Sequence, residues 1–382
     1  MGKLRLREDY ILDGHALPDA GSHPEPINIV DPIMDLYFKF ACTNGSESNI
    51  RNYIFDILNE IEVIDGSDVL FSLKPREILA MNAYHYKESM HWGINELPNA
   101  VQECVFKIPF GLDRYDPTIA FDPTKFKNPQ IRFSWDLSNR RAKSPTTAFV
   151  TDTLAVDIVA TIAEKFPVRP AGFLMHKHIQ EWTTVGGGNV HRVEMPVDYA
   201  HRTVFLGLRD WYVDHTMAKC PWVLLPDAKY NVDQNKYIPF DWHTDDWMLW
   251  LKEFYGLWHQ GMKFIPSGLP DANTTWRHLF LPANKSMAFL SKTAAIVWWW
   301  SQVTGCKIYI SGATGTTDQV QVKIDGALPF NTWAYPFGDP GDMEEWLQVG
   351  DIGKIYFEIT EGALAEDKDE RARVCLTQYR PY

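Results

Sequence analysis

Two histidines separated by one residue are the strongest candidate for metal chemistry in this sequence. His176 and His178 flank a lysine, and alternate residues of a strand share one face, so both imidazoles can reach a single ion. His191 and His201 follow downstream. Glu181 lies at an odd offset from His178, which places it on the opposite face of a strand. We therefore interpret these histidines as exposed strand residues and assign no metal ligand.

Acidic pairs are the next candidates, because two neighbouring carboxylates can share general acid and base work. Asp245 and Asp246 occur where a helix is predicted to begin, and the helix dipole favours acids in a first turn. Glu344 and Glu345 follow Asp339 in a segment rich in proline and glycine, which is typical of a solvated loop. Neither set has an evident partner that would shift a pKa, so we predict no catalytic carboxylate.

Two further motifs have both a functional and a structural interpretation. Gly186–Gly188 lacks the Lys-Ser that follows in a phosphate-binding loop, so a hairpin turn is favoured. Trp298–Trp300 would suit a sugar-binding groove, but buried aromatic residues are the commoner explanation. No GxSxG motif is present, and no cysteine lies beside an activating histidine motif. The sequence therefore predicts no catalytic residue and no cofactor.

Composition limits the class of protein. The chain has 382 residues, of which 45% are hydrophobic and 23% charged, as in ordinary soluble domains. Its net charge of −12 argues against a broad nucleic-acid-binding face. Its 15 Trp, 16 Tyr and 21 Phe favour large cores and interfaces. We expect no signal peptide and no membrane span, because no apolar run is long enough. Scattered cysteines without CxxC spacing predict reduced, buried thiols: Cys42, Cys104, Cys220, Cys306 and Cys375.

An internal repeat sets the predicted architecture, because the second half repeats the order of the first at an offset of about 170 residues. In the first half, the matching segments are Ile33–Ala41, Tyr53–Ile64, Val69–Ser72 and a helix from Pro75. In the second half, they are Thr203–Leu208, Trp222–Leu225, Tyr237–Phe240 and a helix from Thr244. Beyond the helices, Phe106–Phe110 is matched with Leu279–Pro282, and Ile131–Leu137 with Cys306–Ser311.

Most of the remaining pattern is of period two, which predicts half-buried antiparallel strands. The predicted core faces are Ile131 to Leu137, Leu154 to Ile162, Val320 to Ile324 and Ile355 to Ile359, taken at alternate positions. Only two helices are predicted. One runs from Pro75 to Lys87, and the other is capped at Thr244 and places Trp247, Leu251, Phe254 and Trp258 on one face. One helix per copy within a β domain predicts two tandem jelly-roll sandwiches with a helix in an inter-strand connection.

The chain is predicted to have three segments. Residues 1–26 are interpreted as an N-terminal arm, because their composition does not support a core. The arm carries Lys3, Arg5 and Arg7 and is expected to lie against its own subunit or a neighbour. Residues 27–196 are predicted to form the first jelly roll and residues 197–382 the second.

Several short segments resemble a known family. They are Asn128–Asp136, Ala171–Lys177, Met195–Arg202 leading into Thr203–Leu208, Lys236–Phe240 and Val374–Tyr379. They resemble strands and turns of the double jelly-roll major capsid proteins of tailless icosahedral viruses, and most of all those of small lipid-containing phages with single-stranded DNA and related environmental sequences. The resemblance covers roughly residues 128–382 and is clearest at 171–240. The histidine pair His176 and His178 and the extra tryptophans depart from the family's style and put in doubt which viral group this is.

The resemblance implies two eight-stranded jelly rolls, trimers with a pseudo-hexagonal outline, and a closed icosahedral shell without enzymatic activity. It implies that the partners are copies of the chain, neighbouring capsomers, and minor capsid or penton proteins. An internal membrane or the genome is a further partner, reached through Lys3, Arg5 and Arg7. The implied location is the virion capsid, assembled in the host cytoplasm.

The alternative is a two-domain jelly-roll enzyme or lectin that acts on glycans, since a fold does not dictate function. The high aromatic content favours this alternative. The missing pair of carboxylates in a recognisable setting argues against it. A glycan enzyme predicts one concave, aromatic-lined groove with at least two ionisable groups, whereas a capsid protein predicts large faces that are buried on assembly.

Overall fold

The structure is a computed structural model of the chain. It describes residues 4–46, 49, 52–87, 94–116, 118–138, 149–164, 169–209, 221–264, 275–279, 286–290, 297–301, 307–311, 320–362 and 371–382. Side chains are described for these residues except 94, 209 and those from 259 to 326.

The named elements that the structure describes in the first half are nine strands and two helices. The strands are β1 Leu6–Leu17, β2 Ala20–Pro26, β3 Ile33–Thr43, β4 Leu58–Asp65, β5 Asp68–Leu73, β6 Ile94–Asn95, β7 Val101–Pro109, β8 Pro129–Asp136 and β9 Leu154–Ala163. The helices are α1 Ile54–Ile57 and α2 Pro75–Tyr86, and Pro123–Lys125 forms a 3₁₀ turn.

The second half repeats this alternation with more strands. They are β10 Gly172–Thr183, β11 Val190–Met195, β12 Ala200–Arg209, β13 Asp227–Val232, β14 Tyr237–His243, β15 Trp258–Phe264, β16 Thr275–Leu279, β17 Ser286–Leu290, β18 Val297–Ser301, β19 Lys307–Ser311, β20 Val320–Gly326, β21 Thr332–Pro336, β22 Ile355–Thr360 and β23 Arg371–Pro381. The helices are α3 Pro221–Leu224 and α4 Thr244–Tyr255, and Pro329–Asn331 forms a 3₁₀ turn.

The first jelly roll, called the first roll below, consists of two four-stranded layers. One has the strand order β1-β9-β3-β7, and the other has the order β2-β8-β4-β5. Phe40 on β3 meets Phe133 on β8 edge-on, with ring centroids 5.6 Å apart, so the two layers face each other across a shared core. Phe38 stacks on Phe106 of β7 within the same core.

The second roll has the same construction. Its layers have the strand orders β10-β23-β12-β21 and β11-β22-β13-β14. Tyr335 on β21 meets Phe357 on β22 edge-on at 5.6 Å and stacks on Phe240 of β14 at 4.8 Å. Each roll therefore has eight strands, which confirms the predicted fold class of two tandem antiparallel jelly rolls, each with one long helix.

A shared irregularity supports the internal repeat. β1 carries a bulge between Tyr10 and Leu12 where it pairs with β9, and β10 carries one between His178 and Gln180 where it pairs with β23. A bulge inserts an unpaired residue and increases the local twist of a strand, so it is a specific mark of register. The two copies therefore agree in strand order and in register at this bulge, although β1 has a further irregularity between Leu12 and His15 that β10 lacks.

The predicted counterparts beyond the helices are wrong. Phe106–Phe110 lies largely on β7, whose counterpart by sheet position is β21, and Ile131–Leu137 lies largely on β8, whose counterpart is β22. The predicted partners instead fall near β16 and β19, which belong to other sheets. The reason is a difference in length, because residues 87–100 join α2 to β7, whereas residues 256–331 join α4 to β21 and carry β15 to β20. Trp222–Leu225 is also not a strand but lies mostly on helix α3.

The predicted segment boundaries also need correction. Residues 6–26 do not form a separate arm, since β1 pairs with β9 and β2 pairs with β8. At the other end, β10 and β11 lie in the sheets of the second roll, although residues up to 196 were assigned to the first. Both errors have one cause. β1 and β2 are edge strands whose polar, Gly- and Pro-containing sequences hide the strand pattern. Because these two strands were left out of the first roll, their counterparts β10 and β11 were left out of the second.

The two predicted helices are confirmed, with small differences at their ends. α2 begins at Pro75, where the Glu77 side chain accepts a hydrogen bond from the Lys74 backbone at 2.8 Å. α4 begins at Thr244, which is the first helical residue and not the cap, and its hydroxyl donates to the Leu225 carbonyl at 2.6 Å. Trp258 lies on β15, beyond the end of the helix.

Two predictions about thiols and membranes can be compared with the described residues. Cys42, Cys104 and Cys375 are buried free thiols, as predicted, whereas Cys220 and Cys306 lie outside the described residues. None of the helices that the structure describes is long and apolar enough to cross a bilayer.

Candidate functional site

The four candidate histidines have separate partners. His176 is buried, not exposed as predicted: its Nε2 donates to the Pro109 carbonyl at 3.1 Å and its Nδ1 pairs with Thr377 Oγ1 at 2.8 Å. His201 is likewise buried, with its Nε2 2.8 Å from the Pro196 carbonyl oxygen. His191 stacks on the Trp182 ring at 4.0 Å. Among the described residues, no three side chains of metal-binding type come together.

The buried histidines predict a pH dependence of stability. Burial lowers the pKa of His176 to about 3 and that of His201 to about 4, from an ordinary value of 6.5. Below pH 6.5 the unfolded chain therefore binds protons that the folded chain does not, so the free energy of unfolding falls as the pH falls from 6.5 towards 4. We expect His201→Gln to reduce this slope, measured by urea unfolding at several pH values. An unchanged slope would contradict the assignment.

The predicted acidic and glycine motifs have structural roles. Asp245 and Asp246 are exposed in the first turn of α4. Glu345 Oε2 accepts a hydrogen bond from the Asp339 backbone at 2.7 Å and so closes its own loop. Gly186–Gly188 forms a turn, but not a hairpin, because β10 and β11 lie in different sheets. The buried carboxylate of Glu361 fixes this turn by accepting from the backbone of Val185 and Gly186 and from Trp182 Nε1.

Trp298–Trp300 lies on β18 of the three-stranded sheet β16-β17-β18. The side chains of this strand lie outside the described residues, so their burial stays a prediction. An open depression of about 480 Å³ is lined by Lys177, His178, Ile179, Glu194, Met195, Pro196 and Val197. It contains no Phe, Tyr or Trp and therefore does not match the groove expected of a glycan-active enzyme.

The most developed polar site lies at the joint between the two rolls. β5 of the first roll pairs in parallel with β10 of the second, through Phe71 with His176 and Ser72 with Lys177. This pairing joins four strands of each roll into one eight-stranded sheet. Arg380 on β23 forms two hydrogen bonds with Asp68, at 3.0 and 2.5 Å, and the hydrogen bond lowers the pKa of Asp68.

A buried charge network lies beside this pairing. Arg373 on β23 contacts Glu77 of α2 at 2.9 Å and Glu181 of β10 at 3.6 Å, and both Arg373 and Glu77 are almost fully buried. Glu181 also pairs with Lys74 and Arg371. Burial acts to raise the pKa of Glu181, but the hydrogen bond from Lys74 and the charge of Arg373 lower it to about 2. The carboxylate is therefore ionised at neutral pH and ties residues of both rolls together.

The outer face of α2 packs directly on the second roll. Tyr84 donates a hydrogen bond to the Thr332 carbonyl at 2.5 Å, and its ring lies 6.1 Å from the ring of Phe205. Met81 and Glu77 line a cavity of about 20 Å³ against Phe205 and residues of β23. Near the end of the helix, Arg202 of the second roll lies 3.2 Å from His85. The two rolls thus share a buried interface along this helix.

The corresponding helix of the second roll has an exposed outer face. Leu249 and Phe254 of α4 are 45% and 41% exposed. Trp250 is half-buried and stacks between Trp247, at 4.4 Å, and Phe254, at 4.9 Å. Contiguous exposed aromatic surface of this kind is typical of protein–protein contacts. The sequence pattern did not reveal this face, because the predicted helix face included Phe254 among the core residues.

Comparison with known proteins supports the fold. No protein-family model matches the chain, and no curated protein sequence matches it. Among solved structures, the chain is similar to the major capsid protein of bacteriophage PM2, with 10% identity, 99% and 98% of the two chains covered, and a TM-score of 0.53. A chain of Sulfolobus turreted icosahedral virus has 8% identity, coverage of 99% and 91%, and a TM-score of 0.59. The capsid of virus PBCV-1 gives 9% identity, coverage of 99% and 94%, and a TM-score of 0.57.

These matches extend over nearly the whole chain and are all to double jelly-roll major capsid proteins. At such low identity they establish a shared fold. The chain therefore has the double jelly-roll fold of viral major capsid proteins, as the sequence resemblance implied.

Proposed function

We propose that this chain is a viral major capsid protein without enzymatic activity, which forms trimers with a pseudo-hexagonal outline that tile an icosahedral shell. The observation that carries the proposal is the near-full-length structural similarity to capsid proteins, in which both rolls take part. The open depression at Lys177 and Glu194 has no Phe, Tyr or Trp in its lining, so it does not support the glycan-active alternative.

The construction of the chain suits this role. We propose two structural units, residues 4–164 and 169–382, which replace the earlier boundaries. Two similar rolls in one chain give a trimer six similar corners, so three chains can approximate sixfold packing. A head-to-tail contact closes into a ring only if its rotation is correct, and a fixed angle between rolls helps to set that rotation. The buried network at Arg373 and Glu77 supports such a fixed angle.

Other partners belong to the same proposal. Copies of the chain in neighbouring capsomers and minor capsid or penton proteins would complete the shell in the virion, after assembly in the host cytoplasm. Contact with a genome or an internal membrane would use Lys3, Arg5 and Arg7. Arg5 is largely exposed, but it pairs with Glu164 at 3.2 Å, and Arg7 pairs with Asp9 at 2.7 Å. Because these acids offset the positive charge, we expect any such contact to be weak and sensitive to salt.

The test is the particle mass of the purified chain, measured by light scattering after size exclusion. We expect a stable species near three times 44.0 kDa, or a shell of megadalton mass. A monomer at all concentrations would contradict the proposal.

A further inference from the structure

Helices α2 and α4 occupy equivalent positions in the two rolls, yet only α2 has its outer face covered. Both helices have 12 residues, so Ala80 corresponds to Leu249 and Met81 to Trp250. Ala80 and Met81 are 0% and 2% exposed, whereas Leu249 is 45% exposed. The outer face of α2 is therefore buried within the chain, whereas the equivalent face of α4 is apolar and exposed.

The surface that covers α2 can be located by strand register. In the second roll, His178, Cys375, Phe205 and Ala334 form one row across β10, β23, β12 and β21. This second-roll row lies in the sheet against which α2 packs, and Phe205 and Cys375 line the cavity beside Met81.

The first roll carries an equivalent row. Because the bulges align Tyr10 with His178, the pairings Tyr10–Val159, Val159–Tyr37 and Tyr37–Lys107 define a first-roll row across β1, β9, β3 and β7. Tyr10 is 60% exposed and the other three are half-buried, whereas Cys375, Phe205 and Ala334 in the second-roll row are buried. At the β7 end of the row, Lys107 lies 5.4 Å from the Tyr86 ring of α2, whereas Tyr10 at the β1 end is open. The first-roll row is thus a partly apolar surface that is exposed towards β1.

The edges of the sheets repeat this relationship. β5 and β10 pair with each other at the joint inside the chain. Their counterparts, β14 and β1, are each the outermost strand of a sheet in the part of the chain that is described. Unpaired edges are open to pairing with another chain. One helix face, one sheet surface and two edges therefore lack the partners that their counterparts have.

We propose that α4 packs on the first-roll row of a second copy of this chain, with β14 beside β1 of that copy, in the same way that α2 packs on the second roll. This proposal rests on the self-assembly proposed above and specifies its interface. If the contact between rolls within a chain alternates with the proposed contact between chains, three chains form a ring of six rolls.

The first test places a charge in the proposed interface. Leu249→Glu and Phe254→Glu each bury a carboxylate if α4 is covered, so we expect the dissociation constant of the trimer to rise by about tenfold or more. Leu249 is 45% exposed in the single chain and glutamate favours helices, so thermal unfolding and circular dichroism of the Leu249→Glu subunit should be unchanged. Phe254→Glu also removes the stack on Trp250, so a small loss of subunit stability is expected for that variant. Val185→Glu, at an exposed position outside this face, is the matched control and should leave the trimer intact.

The second test identifies the partner surface by cross-linking. Glu77 and Gly207 line the same cavity in the joint within the chain, and their counterparts are Asp246 and Lys39. We expect the double variant Asp246→Cys/Lys39→Cys to give covalent dimers and trimers with a short bismaleimide. Asp246→Cys/Ser22→Cys, which places the second thiol on the opposite sheet, should not, and the single variants report any reaction of native cysteines.

The two tests separate this inference from the proposed function. Trimers that persist in both charge variants and yield no cross-link in the first pair would overturn the interface and leave the capsid proposal standing. A chain that never self-associates would overturn both.

Discussion

Deletion of residues 1–26 is expected to make the chain insoluble or unfolded, and not merely to hinder assembly. These residues contain β1 and β2, which pair along β9 and β8. Their loss would expose two strand edges and uncover Trp135, whose indole donates to the Pro18 carbonyl at 2.6 Å. Since a domain is stable by only about 5–15 kcal/mol, the loss of two strands should abolish cooperative unfolding.

The measurement is the soluble fraction after expression, followed by thermal unfolding of any soluble protein. A chain shortened only by residues 1–3 keeps both strands and serves as the control. Soluble truncated protein with the same unfolding transition as the full chain would show that β1 and β2 are dispensable, as a separate arm would be.

Replacement of Arg373 by methionine is expected to lower the free energy of unfolding by about 3–5 kcal/mol, because it leaves the buried Glu77 carboxylate without its cation. The double variant Glu77→Met/Arg373→Met should recover part of this loss, since no unpaired charge remains at that position but the hydrogen bond from the Lys74 backbone to Glu77 is also lost. Urea unfolding of the wild type, the two single variants and the double variant gives the coupling between the two residues.

Arg371→Met provides the matched control for this prediction. Arg371 lies on the same strand and contacts Glu181 at 3.1 Å, but its side chain is half exposed. An exposed ion pair contributes about 0–1 kcal/mol, so this variant should be nearly neutral. Equal effects of Arg371→Met and Arg373→Met would argue that burial at the joint does not control its stability.

The alternating segments were the part of the fold that the sequence predicted well. Ile131, Phe133 and Trp135 are buried as predicted, and so are Ile355 and Phe357. In each of these strands one face packs in a core and the other does not, so the chemical pattern follows the geometry. Helices α2 and α4 were predictable for the same reason, from their apolar faces and start signals.

The sequence was less informative where partners come from distant parts of the chain. His176 is buried because Pro109 and Thr377 satisfy its ring, and neither residue is near it in sequence. Glu77 and Arg373 are 296 residues apart, so no local pattern marks them as a pair. The edge strand β2 was missed because its outward residues are polar. The repeat was followed correctly only as far as the helices, because the long connection before β21 changes the offset between equivalent strands of the two rolls.

The unequal length of the two connections gives the proposed assembly a direction. Only the second roll carries residues 256–331 between its helix and β21, and β6 of the first roll pairs with β15 in that connection, so both connections lie at one end of the molecule. In a ring of six alternating rolls, that end would bear three projections and be strictly threefold. The opposite end, without the insertion, would remain closer to sixfold. Such a capsomer is polar, and a threefold-symmetric component can distinguish its two ends by shape alone.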